Sequence, residues 1–131
     1  MVRPQRLDQT TSLSTDRRLA ILAIAGELDL GTADQLWPSL ERLLTSVPPH
    51  PAGRTAPEPP DTPDTLVLDA TGLEFLDSSG LRVLLRGARL AEDEGTAFRL
   101  VAPNPVVQRV LELSGTALAL DLRPSLTEAF A

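Results

Sequence analysis

Residues 65–95 read TLVLDATGLEFLDSSGLRVLLRGARLAEDEG, and this stretch decides the fold. It opens with an apolar run at 65–69, whose length and aliphatic content predict a buried strand. Gly72 predicts a turn after that strand, and Gly95 stands where a left-handed residue would end a helix. From Leu81 to Glu94 the pattern predicts an amphipathic helix, whose apolar face comprises Leu81, Leu84, Leu85, Ala88 and Ala91.

The same pairing of strand and helix precedes this stretch. Residues 19–25 form an apolar run that ends at Gly26, which predicts another buried strand. Thr32 is a candidate N-cap for the helix that follows. Pro38 would bend this helix if it begins at Ala33; otherwise the regular helix begins later. Its apolar face comprises Leu36, Leu40, Leu43 and Leu44.

A third strand and helix follow residues 65–95. Residues 96–102 predict the strand, and Asn104 before Pro105 provides an N-cap and a proline at the first helical position. Gly115 can end this third helix. Its apolar stripe comprises Val106, Val107, Val110 and Leu111.

The two ends of the chain add shorter elements. Residues 117–122 predict a last strand, and Ser125 and Glu128 have the spacing of a capping box for a brief terminal helix. Residues 1–18 are either a first edge strand or partly disordered. The alternation of strands and helices predicts an α/β fold with a central, mostly parallel β-sheet.

Residues 47–63, VPPHPAGRTAPEPPDTP, hold seven of the twelve prolines of the chain. Proline removes backbone N–H donors, so this segment can neither continue a helix nor enter a sheet. We interpret it as an inserted, extended loop in a single domain that spans residues 1–131. A ligand for a proline-recognition module is the alternative.

The composition excludes several classes of function. Because the 131 residues include no cysteine, disulfides, thiolate metal sites and cysteine nucleophiles are absent. All twelve basic residues are arginine, which excludes lysine Schiff-base chemistry. His50 is the single histidine, so a histidine-based catalytic triad could form only around it. We expect no cofactor and no metal.

The net charge and the hydropathy of the sequence argue against two classes of partner, nucleic acids and membranes. The net charge is −6 and there is no tyrosine, so neither a phosphate-binding surface nor a set of base-stacking aromatics is expected. Nucleic acid is therefore not an expected partner. No apolar run approaches the roughly 18 residues of a membrane span, and the amino-terminal region lacks the apolar core of a signal peptide. The sequence predicts a cytoplasmic protein that does not bind membranes.

Three short motifs occur in order at the ends of predicted elements: GELD at 26–29, DSSGL at 77–81 and SG at 114–115. Together with the order of the elements, they resemble the STAS domain of anti-sigma factor antagonists, also called anti-anti-sigma factors. The resemblance runs from about residue 19 to the end of the chain. It implies a STAS-type layered fold.

The resemblance also implies a function. Such proteins bind an anti-sigma factor that is also a serine kinase of the GHKL ATPase type, and this binding frees a sigma factor. Phosphorylation by that kinase ends the complex, and a phosphatase resets it. By position, Ser78 corresponds to the phosphoacceptor, and Asp29 to an acidic residue near it. Asp77, Ser79 and Gly80 complete the implied partner-binding set, and Arg82 stands where the family frequently has glycine.

Read without the resemblance, the same residues allow other roles. Ser78 is a candidate N-cap, whose oxygen would accept from the amide of Gly80 or Leu81. Asp77 is a candidate cap of the turn through its carboxylate, and Ser79 is a competing phosphoacceptor. A passive scaffold or a sensor subunit of the same fold, without a switching phosphate, is the alternative function.

An enzyme is the third possibility. Ser78 follows a strand and precedes a helix, as in a nucleophile elbow, but Gly-x-Ser-x-Gly is absent and His50 lies among prolines. The residues therefore predict a binding protein and not an enzyme. Leu30 and Trp37 form either a partner-facing apolar patch or part of the core.

Overall fold

A computed structural model describes residues 6–15, 18–45 and 62–130. The predicted order of elements is confirmed over these residues, including a strand in front and a short helix behind. The elements are β1 (Leu7–Leu13), β2 (Leu19–Leu28), α1 (Ala33–Leu44), β3 (Thr65–Leu76), α2 (Ser78–Asp93), β4 (Ala97–Val101), α3 (Pro105–Leu113), β5 (Leu122–Arg123) and α4 (Leu126–Ala129).

The five strands form one mixed sheet, in the order β1-β2-β3-β4-β5. β1 runs antiparallel to β2, and the other neighbours are parallel, as the α/β prediction requires. In the register, Leu19 lies beside Thr65 and Leu28 lies beside Leu76. Parallel strands end at the same edge of a sheet, so the connections that follow β2 and β3 lie side by side.

The main core lies between one face of the sheet and the helices α1, α2 and α3. Leu66 and Leu68 point into this core, whereas Val67 belongs to a second cluster with Val101 and Ala129, because successive strand residues face opposite sides. The short helix α4 contributes Ala129 on that second face. Each fully buried leucine stabilises the fold by roughly 1.5–3 kcal/mol. The core leucines include Leu22, Leu28, Leu36, Leu40, Leu84, Leu100 and Leu111.

Two strands extend beyond the ends that the sequence predicts. β2 passes through Gly26 to Leu28, and β3 passes through Gly72 to Leu76. The two strands continue to pair with each other through register shifts, so each supplies the partner that the other needs. Gly26 has a φ of +105°, and a Cβ there would lie 2.5 Å from the carbonyl oxygen of Arg6. Glycine therefore permits the strand to continue beside β1 and does not end it.

The predicted last strand is wrong in its position. Residues 117–121 form turns, and β5 is only the pair Leu122–Arg123. The amide of Leu120 donates to the carbonyl of Thr116, and the amide of Leu122 donates to that of Ala117, so the backbone is coiled where a strand was expected. The alternating sequence ALALDL resembles a strand, but these backbone bonds are local.

The predicted ends of α2 and α3 agree with the structure, whereas α2 begins at Ser78, three residues before the predicted Leu81. Gly95 and Gly115 have φ values of +77° and +73° at the ends of α2 and α3. Asn104 accepts from the amide of Val106 at the start of α3. α1 begins at Ala33 and contains Pro38 within it. Most of the proline-rich segment, residues 47–61, and His50 within it lie outside the described residues.

Candidate functional site

The candidate site lies where the β2–α1 and β3–α2 connections meet. The amide of Asp77 donates to the carbonyl of Leu28, with 3.2 Å between nitrogen and oxygen. In return, the amide of Leu30 donates to Asp77 Oδ2 at 3.1 Å. These two bonds span 47 or more positions of sequence and join the two connections into one surface.

Asp77 is the N-cap of α2. Its Oδ1 accepts from the amide of Gly80 at 2.9 Å, and its backbone is extended, with φ −112° and ψ −174°. This confirms the capping role considered for Asp77 and corrects the one considered for Ser78, which is the first helical residue. A residue with helical dihedrals cannot direct its side chain back to the amides as an N-cap does.

Ser78 is exposed on the first turn of α2. Within the described parts of the chain, its hydroxyl has no hydrogen-bond partner. Because Asp77 satisfies the amide of Gly80, the Ser78 hydroxyl is not required for the helix to begin. Ser79, next along the helix, is partly buried. The site therefore presents one accessible hydroxyl group that no structural role occupies.

Asp29 is buried beneath this surface, with 6% of its area exposed. Its Oδ1 accepts from the amides of Gly31 at 2.9 Å and Thr32 at 3.1 Å. The hydroxyl of Thr32 accepts from the amide of Asp29 at 3.0 Å and donates to the carbonyl of Glu27 at 2.7 Å. Thr32 occupies the N-cap position of α1 but makes no side-chain cap bond. These bonds fix the turn that carries Leu30.

Gly80 brings α2 close to the end of β2. It is buried, and a Cβ at this position would lie 2.4 Å from the carbonyl oxygen of Leu28 and 2.8 Å from Leu76 Cδ1. No side chain other than hydrogen fits against a backbone carbonyl at that distance. The DSSG motif therefore combines a cap, an exposed hydroxyl and a close helix–strand contact.

Comparison with known proteins agrees with this fold. The family model described as the STAS domain matches residues 10–129. The chain belongs to the STAS domain family. A Mycobacterium tuberculosis protein provisionally named an anti-anti-sigma factor is 33% identical over 122 residues, which are 92% of this chain and 74% of that protein.

Two further STAS relatives carry functional names. The anti-sigma-F factor antagonist RsfB of Mycobacterium tuberculosis is 30% identical over 122 residues, covering 92% of this chain and 85% of RsfB. The crystal structure of an anti-sigma factor antagonist from Mycobacterium paratuberculosis matches with a TM-score of 0.77 at 25% identity. That match covers 99% of this chain and 96% of the other. The STAS-type layered fold expected from the motifs is therefore confirmed.

Two large apolar side chains are exposed at the ends of β2 and β3 in this STAS domain. Leu30 is 77% exposed. It lies on the turn that follows β2, and its backbone amide donates to the carboxylate of Asp77. Phe75 is 44% exposed and lies beside Glu27 in the sheet register. The sequence did not indicate Phe75, because β3 leaves its regular alternation between Leu73 and Leu76, and strand periodicity fails there.

Leu30 and Trp37, which the sequence allowed as one apolar patch or as core residues, lie in different environments in the structure. Trp37 is partly buried and packs against the core, and the guanidinium carbon of Arg86 lies 3.8 Å from the centroid of its ring. Trp37 therefore connects α1 to α2 through a cation–π contact. Leu30 alone of the two is mainly exposed beside the Asp77 bond. We use the name hydroxyl surface for Leu30, Phe75, Asp77, Ser78 and Ser79.

The parts of the chain described by the structure contain no group of three or more His, Asp or Glu side chains that could hold a metal ion. Nor does any helix in those ranges have the length and apolar character to cross a membrane.

Proposed function

We propose that this STAS protein is an anti-sigma factor antagonist: it binds an anti-sigma factor and so releases the sigma factor held by that protein. The names of its relatives support this role. We place the protein in the cytoplasm, where transcription takes place, and we assign it no enzymatic activity of its own. The proposed partner is an anti-sigma factor of the GHKL serine-kinase type.

The switch in this proposal is phosphorylation of Ser78 by the bound kinase. In this step the Ser78 hydroxyl gives its proton to a catalytic base of the kinase while its oxygen attacks the γ-phosphorus of ATP; the bond from that phosphorus to the β-phosphate oxygen breaks, and ADP leaves. The observation that carries the proposal is the exposed Ser78 hydroxyl, which is free of any capping role because Asp77 makes the cap bond. The active site of a kinase can therefore bind this hydroxyl without unwinding α2.

The phosphate changes the charge of the surface and leaves the fold intact. It adds about −1.5 to −2 charges at pH 7, and the amino end of a helix accommodates negative charge. The carboxylates of Asp77 and Asp29 lie on the two joined connections and repel it. A partner that packs against the small hydroxyl would then meet a bulky dianion. A tenfold loss of affinity requires only about 1.4 kcal/mol.

The hydroxyl surface is the proposed contact with the anti-sigma factor. Leu30 and Phe75 supply the exposed apolar area that the core of a protein interface favours. Asp77, Ser78 and Ser79 follow Phe75 closely along the chain, and Asp77 accepts from the amide of Leu30. Asp29 and Gly80, also predicted as partner-binding residues, are buried in the free protein. We propose that these two buried residues maintain the conformation of the contact surface.

The first test of the switch maps phosphate on protein isolated from its native cells. Trypsin cleaves after Arg54 and Arg82, so Ser78 and Ser79 fall in one peptide. Fragmentation between the two serines in mass spectrometry places the phosphate on one of them. We expect phosphate on Ser78 at a level that changes with growth condition. A peptide that stays unmodified through growth, stress and stationary phase would refute the switch.

The second test compares charge at two adjacent positions. The tagged protein captures its kinase partner from native cells, and the affinity of that partner is then measured by calorimetry. We expect Ser78→Ala to bind as the wild type does and Ser78→Asp to bind at least tenfold more weakly. Ser79→Ala and Ser79→Asp are the matched controls, and we expect both to bind within threefold of the wild type.

The same variants separate the alternatives. Equal binding by Ser78→Ala and Ser78→Asp would indicate a non-switching STAS scaffold or sensor subunit. Ester hydrolysis that Ser78→Ala abolishes would indicate an enzyme. Phosphatase treatment of protein carrying phosphate on Ser78 should restore binding, because the proposed cycle includes a phosphatase that acts there.

A further inference from the structure

Arg82 is an exposed arginine whose position in the unmodified protein is unfavourable. Within the described ranges, it makes no ion pair and no hydrogen bond through its side chain. Its neighbours three and four positions away on α2 are Ser78, Ser79, Leu85 and Arg86, and none of these is a carboxylate. Arg82 also lies in the second turn of the helix, near the positive end of the helix dipole, where a cation is disfavoured.

We infer that Arg82 is the receptor for a phosphate on Ser78, and that the two form an ion pair on α2 only in the phosphorylated protein. This inference rests on the proposed modification of Ser78 and adds to it a second residue of the switch. A phosphate on Ser78 would give Arg82 the anionic neighbour that the unmodified helix lacks.

The geometry of an α-helix brings the two side chains together. Residues four apart have Cβ atoms roughly 5–6 Å from each other. Helical side chains lean toward the amino terminus, so a residue covers the turn before its own Cα. Arg82 therefore extends over the turn that begins with Ser78. The pair also has the favourable order, with the anion on the amino-terminal side of the cation.

The two other arginines of α2 lie in different surroundings. Arg86 is engaged with the ring of Trp37 on α1. Arg89 has Glu92 and Asp93 at three and four positions along the helix. Arg89 makes no ion pair within the described residues either, but of the three only Arg82 lacks both a ring contact and a carboxylate three or four positions away, and it alone lies about one turn from Ser78. Its planar guanidinium can bind two phosphate oxygens at once.

An ion pair of this kind would hold the phosphate along the surface of α2. The dianion would then occupy a fixed position beside the hydroxyl surface. It would also hold its second negative charge more readily, because an adjacent cation lowers the pKa of the phosphate. The acidic groups on the adjoining segments would oppose this effect; they are Glu27, Asp29, Asp34, Glu74 and Asp77.

The experiment uses the full chain with phosphoserine inserted at position 78 during translation, so no kinase is needed. Phosphorus NMR then follows the phosphate through a pH titration in about 0.1 M salt, where charges more than about 10 Å apart are largely screened. Three proteins are compared: the unchanged chain, Arg82→Gln and Arg89→Gln. Arg89 lies three turns, about 16 Å, from Ser78 on the same helix face and controls for net charge.

We expect Arg82→Gln to raise the apparent pKa of the phosphate by roughly 0.15–0.4, and Arg89→Gln to leave it unchanged. Salt at about 1 M should remove the difference, because the pair is exposed. Arg82→Lys keeps the charge and should keep most of the lowering. The acidic neighbours are the same in all these proteins, so their contribution cancels.

Equal pKa values in the Arg82→Gln and Arg89→Gln proteins would overturn the inference. So would loss of the native amide spectrum in the phosphorylated chain, since the pair needs an intact α2. The result is independent of the proposed function, because the phosphate is installed by translation. Absence of phosphate on Ser78 in native cells would refute the proposed switch whether or not Arg82 lowers the pKa of the inserted group.

Discussion

The two connections that follow β2 and β3 each begin with an aspartate, yet the two carboxylates bond differently. Asp29 is buried and accepts from the amides of Gly31 and Thr32 within its own turn. Asp77 divides its two oxygens between its own helix and the amide of Leu30 on the other connection. The first connection is therefore closed by local bonds, whereas the second takes its position from its neighbour.

This difference explains why the accessible hydroxyl is on the second connection. A turn closed by local bonds buries its polar groups, as Thr32 shows with its fully buried hydroxyl. At the start of α2, Asp77 makes both the cap bond and the bond to the other connection, and this leaves the next residue, Ser78, without a structural duty. A small change in sequence there can alter chemistry without altering the fold.

Disturbing the contact between α2 and the end of β2, where the two connections begin, should have the largest effect on stability. Gly80→Ala places a Cβ 2.4 Å from the carbonyl oxygen of Leu28, a backbone atom that cannot rotate away. We expect a loss of about 2–3 kcal/mol in the free energy of unfolding, measured with chemical denaturant. An alanine would otherwise favour a helix, so the loss reports the contact itself.

Gly87→Ala is the matched control on the same helix. A Cβ there meets the end of the Leu40 side chain at 2.9 Å, and a side-chain end can move. We expect a change of less than half that of Gly80→Ala. Equal effects at the two glycines would show that the approach of α2 to β2 is not what requires Gly80.

Removal of the local carboxylate should have the next largest effect. Asp29→Ala leaves the amides of Gly31 and Thr32 without their acceptor, and a hydrogen bond to a charged group contributes about 1.5–3 kcal/mol. We expect a loss of about 2 kcal/mol in the free energy of unfolding. Glu41→Ala, an exposed change on α1, should stay within about 0.5 kcal/mol of the wild type. A neutral Asp29→Ala would contradict the local closure of this turn.

The two hydrogen bonds accepted by the Asp77 carboxylate can be tested separately. One is the cap bond from the amide of Gly80, and the other, the bridging bond, comes from the amide of Leu30. Asp77→Ala loses both and should destabilise the protein by about 1–2 kcal/mol. Asp77→Ser can restore the cap on Gly80, but a hydroxyl has no second oxygen for the amide of Leu30. We expect Asp77→Ser to recover most of the stability while hydrogen exchange at the Leu30 amide stays fast. Slow exchange of that amide in the serine variant would show that the bridging bond does not protect it.

Ser78→Ala should have the smallest effect. Since the hydroxyl has no partner within the described residues and Asp77 supplies the cap, the free energy of unfolding should change by less than about 0.5 kcal/mol. Thermal and denaturant unfolding against the wild type measure this. A loss of 1 kcal/mol or more would mean that Ser78 has a capping role and would weaken the comparison between the two connections.

Much of the candidate site could be predicted from its sequence, but its division of roles could not. The motif DSSG marked the start of a helix after a strand, and α2 does begin at Ser78. Sequence allowed either Ser78 or Asp77 as the cap, because both residue types cap helices well. In the structure Asp77 is the cap, because its extended backbone directs the carboxylate toward the amide of Gly80. Phe75 was missed because its exposure follows from a register shift between two strands.

The sequence by itself determined the order of the elements, the glycine ends of α2 and α3, and the motifs that identify the family. These features depend on the periodicity and conformational preferences of neighbouring residues, which are local. Only the tertiary structure decided that β3 continues to Leu76, that α2 touches the carbonyl of Leu28, and that Asp77 binds the amide of Leu30. Each of these depends on a partner distant in sequence, which no local pattern specifies.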